Sequence, residues 1–328
     1  MSLLSFPELY CPFPSKVNKY ADVLEDYAVD WLLGFNILVN ESSLQRFCKS
    51  KFYYLAAATY PYCEFDILKI TNDWNSWLFI WDDQCDMSDL GKQPELLKAF
   101  HQRFLEILNG AELTHQDIPL SYALADLRLR ISQYGSKNLF IHFIHSVSRY
   151  FDGCVLQAYY RAKGVVPDID TYIKIRNMCS AVDSCLALIE LGHNIKFPNS
   201  LRKHHSFQKL NSMTNNIISW CNDLFSASRE IESGDIHNLV YIIHYHEKIT
   251  LDKAIMRTAE IHDKQVKNLI ILEESFPSFE EELDTNIAKY ISGCNEWIRG
   301  NYNWYFCSGR YKNQEKLEIA KGLQLIAS

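Results

Sequence analysis

Between Lys19 and Asn36 apolar residues fall at Tyr20, Val23, Leu24, Tyr27, Ala28, Trp31 and Leu32. This i, i+3, i+4, i+7 stripe predicts an amphipathic helix. Similar stripes predict helices over 43–58, 62–86, 93–109, 137–163, 169–191, 208–232 and 250–275. A last helix is expected from Ser278, where Ser278-Phe279-Glu280-Glu281 follows Pro277 and has capping-box spacing. Period-2 alternation is scarce. Tyr241-Ile242-Ile243-His244-Tyr245 looks strand-like by itself, but its neighbours favour helix. The breaks at 38–42, 110–118, 163–168 and 193–200 are short and polar, and no fixed-period repeat appears. The pattern predicts one all-α domain over 1–328, packed as a helical bundle whose core can house a ligand or metal site.

Composition narrows the class. Of 328 residues 48% are hydrophobic and 22% charged, with only 12 Gly and 9 Pro, which excludes disordered and collagen-like chains. The net charge of −7 argues against a nucleic-acid surface. The ten cysteines contain no C-x-x-C pair, so they read as free thiols of a reducing compartment. The N-terminal residues lack the basic and apolar regions of a signal peptide. No uncharged apolar run approaches the roughly 18 residues of a membrane span. A cytoplasmic protein is expected.

Four motifs carry candidate chemistry. Trp81-Asp82-Asp83-Gln84-Cys85-Asp86 ends an aromatic helix. Asp82 and Asp86 fall on one face, about 6 Å apart along the axis, and such carboxylates suit hard divalent cations. Asp83 points elsewhere and suits an ion pair. Carboxylates at a helix C-terminus oppose the helix dipole, a cost that hints at a purpose. In Asn222-Asp223-Leu224-Phe225-Ser226-Ala227-Ser228-Arg229-Glu230, the residues Asn222, Ser226 and Glu230 form an i, i+4, i+8 row of hard oxygen donors. Arg310-Tyr311 can donate to phosphate oxygens. Arg176 lies on an apolar-striped helix and needs a partner if buried. Taken singly, the acidic motif is equally a solvated helix end, while the Asn222 row reads first as a surface stripe, Arg310-Tyr311 as a common dipeptide and Arg176 as a snorkelling side chain.

In this order and spacing, with Arg176 46 residues before Asn222, the set resembles the class I terpene synthases of microbial type. Ala57-Ala58-Thr59-Tyr60-Pro61, Asp73-Trp74, Gly234-Asp235-Ile236-His237-Asn238 and Pro12-Phe13-Pro14 resemble that family too. The likeness runs from about residue 10 to 311 and leaves a tail, 312–328. It implies an α-helical fold with a deep apolar cavity open at one end. It also implies three Mg²⁺ ions holding the diphosphate of an isoprenoid substrate, farnesyl or geranylgeranyl diphosphate. The enzyme would ionise that substrate, cyclise the cation to a terpene hydrocarbon or alcohol, and release diphosphate.

The resemblance makes Asp82, Asp86, Asn222, Ser226 and Glu230 metal ligands. Arg176, Arg229, Arg310 and Tyr311 become diphosphate donors, and Asp83 becomes the partner of Arg176. Ser180 stands where relatives carry Gly, at a carbonyl implied to help trigger ionisation, and Cys179 stands where an acid is common. Phe79 and Trp304 are the expected aromatic wall beside the cation, since a ring face stabilises a cation by about 0.5–2 kcal/mol. A homodimer is familiar among such enzymes. Rival readings are a chain-elongating prenyltransferase, which would carry a second Asp-rich motif, and a phosphohydrolase built on His262-Asp263, His244, His246 and His204-His205. A non-catalytic helical binding module is the third.

Overall fold

The structure is a computed structural model that describes residues 7–311, without the side chains of Asp86 and Met87. Among the described residues there are helices and no strands. The first helices are α1 (Ala21–Gly34), α2 (Glu41–Ser50), α3 (Phe52–Thr59) and α4 (Phe65–Met87). They are followed by α5 (Pro94–Leu108), α6 (Pro119–Tyr134) and α7 (Lys137–Lys163). Next come α8 (Ile169–Cys179), α9 (Val182–Ala187), α10 (Ile189–Gly192) and α11 (Asn199–Arg202). The last are α12 (His205–Ser233), α13 (Leu239–Glu247), α14 (Leu251–Glu274) and α15 (Glu281–Cys307).

Two of the predicted stripes are broken in the structure. The stripe over 43–58 divides at Lys51, whose φ of 52° caps α2 and starts α3. The stripe over 169–191 divides into α8, α9 and α10, with Ala181 left-handed at φ 61°. Apolar spacing continues through both breaks, so periodicity alone does not reveal them. Helix α6 was not among the expected stripes. Residues 239–247 are helical, capped by the Asn238 side chain. The capping box expected at Ser278 does not form: Glu280 is the N-cap, and Ser278 Oγ donates to Asp284 Oδ2 at 2.6 Å.

Helix α12 packs against α8, α9, α13, α14 and α15, while α4 packs against α1, α3, α6 and α9. Helix α15 lies close against α3, because a Cβ on Gly300 would stand 2.6 Å from the Ala58 carbonyl oxygen. Trp74, Trp77 and Trp81 are fully buried along one side of α4 and stack in series. This fixes the rotation of α4. The neighbouring row, Asn75, Leu78, Phe79 and Asp82, then faces a cavity bounded also by α8, α9, α12 and α15.

Candidate active site

The cavity holds about 790 Å³ of space, including its open mouth. Its inner wall is mainly apolar, with Leu55, Leu78, Val182 and Ile218, and its mouth is polar and charged. Helical register decides which residues reach it. On α15 the i, i+4, i+8 row Trp297, Asn301 and Tyr305 lines the cavity. Trp304, about 100° further round, does not. It is fully buried behind Phe79, ring centroids 5.2 Å apart, with Nε1 donating to the Ser50 carbonyl at 2.8 Å. The expected aromatic wall is therefore corrected: Phe79 lines the cavity and Trp304 supports Phe79 from behind.

Two arginines that line the cavity, Arg310 and Arg176, are each held by a carboxylate outside its lining. Asp82 and Asp83 lie in the last turns of α4. Arg310 Nη1 meets Asp83 at 2.6 Å (Oδ1) and 2.8 Å (Oδ2), and Nη2 reaches Asp82 Oδ2 at 3.5 Å. Its guanidinium also lies 5.2 Å from the Phe79 ring centre. Burial opposes the charge on Arg310, but Asp83, Tyr311 and Asp82 outweigh it and raise its pKa.

Across the cavity, Arg176 at the end of α8 donates from Nε to Asp223 Oδ1 at 2.9 Å and from Nη2 to Asn222 Oδ1 at 2.7 Å. The expected pairing of Asp83 with Arg176 is thus replaced by two separate pairs. Arg176 is carried to the middle of α12 by α8, while the turn after α15 brings Arg310 to the end of α4.

Asp223 is fully buried and also accepts from Tyr172 Oη and from the Leu239 amide. Burial raises its pKa despite Arg176. Glu230 is raised for the same first reason, burial, and its neighbours Asp235 and Asp223 add to the shift against Arg229. Asn222 Nδ2 donates to Tyr305 Oη at 2.9 Å and Tyr311 Oη at 3.2 Å. Arg229 stands 5.7 Å from the Tyr311 ring centre. Ser226 follows the row but is fully buried, its Oγ donating to the Asn222 carbonyl at 2.8 Å, and it does not line the cavity. The side chain of Asp86 lies outside the described residues.

Ser180 lines the cavity at the α8–α9 break. The break forms without glycine: Ser180 Oγ accepts from the Val182 amide at 3.3 Å and donates to Asn215 Oδ1 at 2.9 Å, while Ala181 takes the left-handed turn.

Several residues that shape the site had no assigned role in the sequence. Asn238, the N-cap of α13, is fully buried; its Nδ2 lies 2.9 Å from Glu230 Oε2, 2.8 Å from the Asp223 carbonyl and 3.4 Å from Ser226 Oγ. Its Oδ1 caps α13 through the Val240 amide. Asp223, Tyr172 and Tyr305 are the others. An Asn-Leu step before an apolar run was the one available signal for Asn238.

The donor set suits a divalent cation. Asp82, Asn222 and Glu230 line one cavity with hard oxygens, and Glu230 is a partly buried carboxylate whose raised pKa a cation would relieve. Among the described residues no three His, Cys, Asp or Glu side chains form a ready-made cage. Ions here would need oxygens from a ligand as well. His244 Nδ1 donates to the Ile249 carbonyl (2.6 Å), His246 Nε2 to the Pro167 carbonyl (2.8 Å) and His262 Nδ1 to Asp263 Oδ1 (3.0 Å), so these histidines are dispersed rather than gathered. No helix among the described residues is long and apolar enough to cross a membrane.

Residues 73–268 match the family described as terpene synthase family 2, C-terminal metal binding. The chain is 56% identical over 321 residues to a germacrene A synthase of Nostoc punctiforme, covering 98% of this chain and 99% of that one. It is 34% identical over 308 residues to a (+)-T-muurolol synthase of Roseiflexus castenholzii, covering 94% of each. Among solved structures it resembles germacradien-4-ol synthase from Streptomyces citricolor, with a TM-score of 0.80 at 24% identity over 91% of this chain and 98% of that one.

Proposed function

The chain belongs to the terpene synthase family and is a metal-dependent cyclase of isoprenoid diphosphates, and from that premise we propose that it converts farnesyl diphosphate to a cyclic sesquiterpene with three Mg²⁺ ions bound. The observation that carries the reading is one cavity lined by Arg176, Arg310, Asp82, Asn222 and Glu230, in which Arg310 is held by Asp83 and Arg176 by Asp223.

Arg310 and Arg176 serve as internal counter-ions while no diphosphate is bound. With diphosphate and its cations bound, both guanidinium groups would donate to phosphate oxygens, and Asp82, Asn222 and Glu230 would hold the ions. Arg229 and Tyr311 donate to the same phosphate group. The bound divalent ions supply the charge that stabilises the departing diphosphate. The apolar wall excludes water from the organic cation, and Phe79 offers it a ring face. The Ser180 carbonyl lies at the helix break beside the sensor Arg176. Ser226 would join the ligand set by turning its hydroxyl off the Asn222 carbonyl, and Asp86 would be the further ligand from α4. We read the chain as one catalytic domain. Its ten free thiols fit a cytoplasmic setting.

The test is pyrophosphate release from farnesyl diphosphate. It is expected to require Mg²⁺, to stop with a chelator, and to be lost in Asp82→Ala and Glu230→Gln, with far-ultraviolet circular dichroism unchanged. Full release by both variants would remove these residues from the metal site.

A further inference from the structure

Arg161 belongs to none of the motifs above, yet it touches the surroundings of both metal-binding helix ends. It sits in the last turn of α7 and is 16% exposed. Its Nε donates to Asp235 Oδ1 at 3.2 Å and its Nη2 to Asp235 Oδ2. Asp235 is 14% exposed, so the two-point pair is largely shielded from water.

Asp235 lies just past the end of α12. Gly234 turns the chain there with φ +81°, and the Asp235 amide donates to the Glu230 carbonyl at 2.9 Å. Asp235 Oδ1 also accepts from the His237 amide at 2.9 Å, one residue before Asn238. The carboxylate that Arg161 grips therefore organises the backbone on which Glu230 and its partner Asn238 stand.

The other side of the guanidinium lies against the end of α4. A Cβ on Gly91 would stand 3.4 Å from Arg161 Nη1 and 2.8 Å from the Cys85 carbonyl oxygen. Gly91 is buried in the 3₁₀ turn Asp89–Lys92 that follows the Asp82–Asp86 segment. A side chain there would displace either the guanidinium or the helix end.

We propose that Arg161 is a positioning residue whose pair with Asp235, packed on the Cys85–Gly91 turn, sets the separation of the two metal-binding helix ends. This rests on the metal-dependent reading above. Three ions shared between α4 and α12 need both ends at a set distance, and a fork bonded at one side and packed at the other supplies it.

The test separates geometry from charge. Arg161→Gln removes a positive charge and Asp235→Asn a negative one, so a purely electrostatic role moves metal affinity in opposite directions. A positioning role moves both the same way. The readout is thermal stabilisation of the purified protein by pyrophosphate as Mg²⁺ is titrated, with the metal-free melting temperature recorded alongside. Both variants are expected to need about tenfold more Mg²⁺ for half of the shift, the scale typical of outer partners of metal ligands. Arg161→Lys is expected to recover part of the loss, and Gly91→Ala, which changes no charge, to show the same direction. Opposite shifts in the two charge variants, or a lower melting temperature with unchanged Mg²⁺ dependence, overturns the proposal. If Arg161→Gln does not fold, Asp235→Asn and Gly91→Ala decide: unchanged Mg²⁺ dependence in both overturns it. No stabilisation of the unsubstituted protein overturns the metal reading itself and the tie with it.

Discussion

Asn238 shows how much of the site rests on side chains outside the ligand motifs. The two N–H bonds of its amide face Glu230 at 2.9 Å and the Asp223 carbonyl at 2.8 Å, with Ser226 Oγ 3.4 Å away, in a position fully shut off from water. Asn238→Ala leaves those acceptors short of a donor and uncaps α13, so a loss of about 1–3 kcal/mol is expected in urea unfolding. A loss below 0.5 kcal/mol, read against the ~1 kcal/mol typical of one such bond, would mean that water replaces the amide. The aromatic wall gives a second contrast. Phe79→Ala is expected to change the product mixture, because Phe79 faces the cavity. Trp304→Phe is expected to keep the product profile and lose about 1 kcal/mol with its Nε1 bond to Ser50. Gas chromatography of the two variants checks both; an altered profile in Trp304→Phe would return that ring to the wall. At this scale the sequence was legible where donors recur at helical spacing, as with Asn222 and Glu230. Partner choice was not, since Arg176 reaches Asp223 rather than Asp83 only because of which helix ends meet.

Most long helices were legible from their apolar stripes, whereas α6 and the breaks inside a stripe were not. The sequence 169–191 keeps its apolar spacing through Ser180-Ala181, so the turn is a product of local hydrogen bonds and of packing around α12. Ala181 holds φ 61° there without being glycine. The left-handed conformation costs a residue with a Cβ about 1–2 kcal/mol, and branching at Cβ adds to it. Ala181→Val is therefore expected to destabilise by more than about 1 kcal/mol. Ala181→Gly relieves that strain while freeing the unfolded chain, so its net change is expected to stay within about 1 kcal/mol. Denaturant midpoints of the two variants check this, and equal midpoints would show that the break carries no strain. Helix α15 makes the related point for register. A helix was expected to begin at Ser278, but only packing against α3 decides that Asn301 and Tyr305, not Trp304, face inward.

Across the whole molecule, buried titratable groups work against one another. Burial lowers the pKa of His101 and of His237 to about 3, and of His142 to about 4. Each is below its unfolded value, so the unfolded chain takes up protons first as pH falls. Stability from these groups is full above pH 6.5 and is lost below it. Burial raises Asp73 to about 6, against Arg130, and this acts in the opposite sense: its contribution is full at low pH and lost as pH rises through 6. His101 accepts from Trp81 Nε1 at 3.1 Å, a bond that Gln can keep. Unfolding of His101→Gln is expected to lose about 2 kcal/mol less than the unsubstituted protein between pH 7 and 5. Equal losses would place the pH sensitivity elsewhere. None of this was legible in composition, because a net charge of −7 does not say which groups are buried. The central claim is cyclisation of a fifteen-carbon substrate in the cavity between α4, α12 and α15. It is tested by incubating the protein with geranyl, farnesyl and geranylgeranyl diphosphates, with Mg²⁺ and with a chelator, and analysing extracts by gas chromatography–mass spectrometry. A cyclic sesquiterpene from farnesyl diphosphate, absent with chelator, is the expected result. No cyclic product from farnesyl diphosphate by the folded protein, or longer prenyl diphosphates once isopentenyl diphosphate is added, would contradict it.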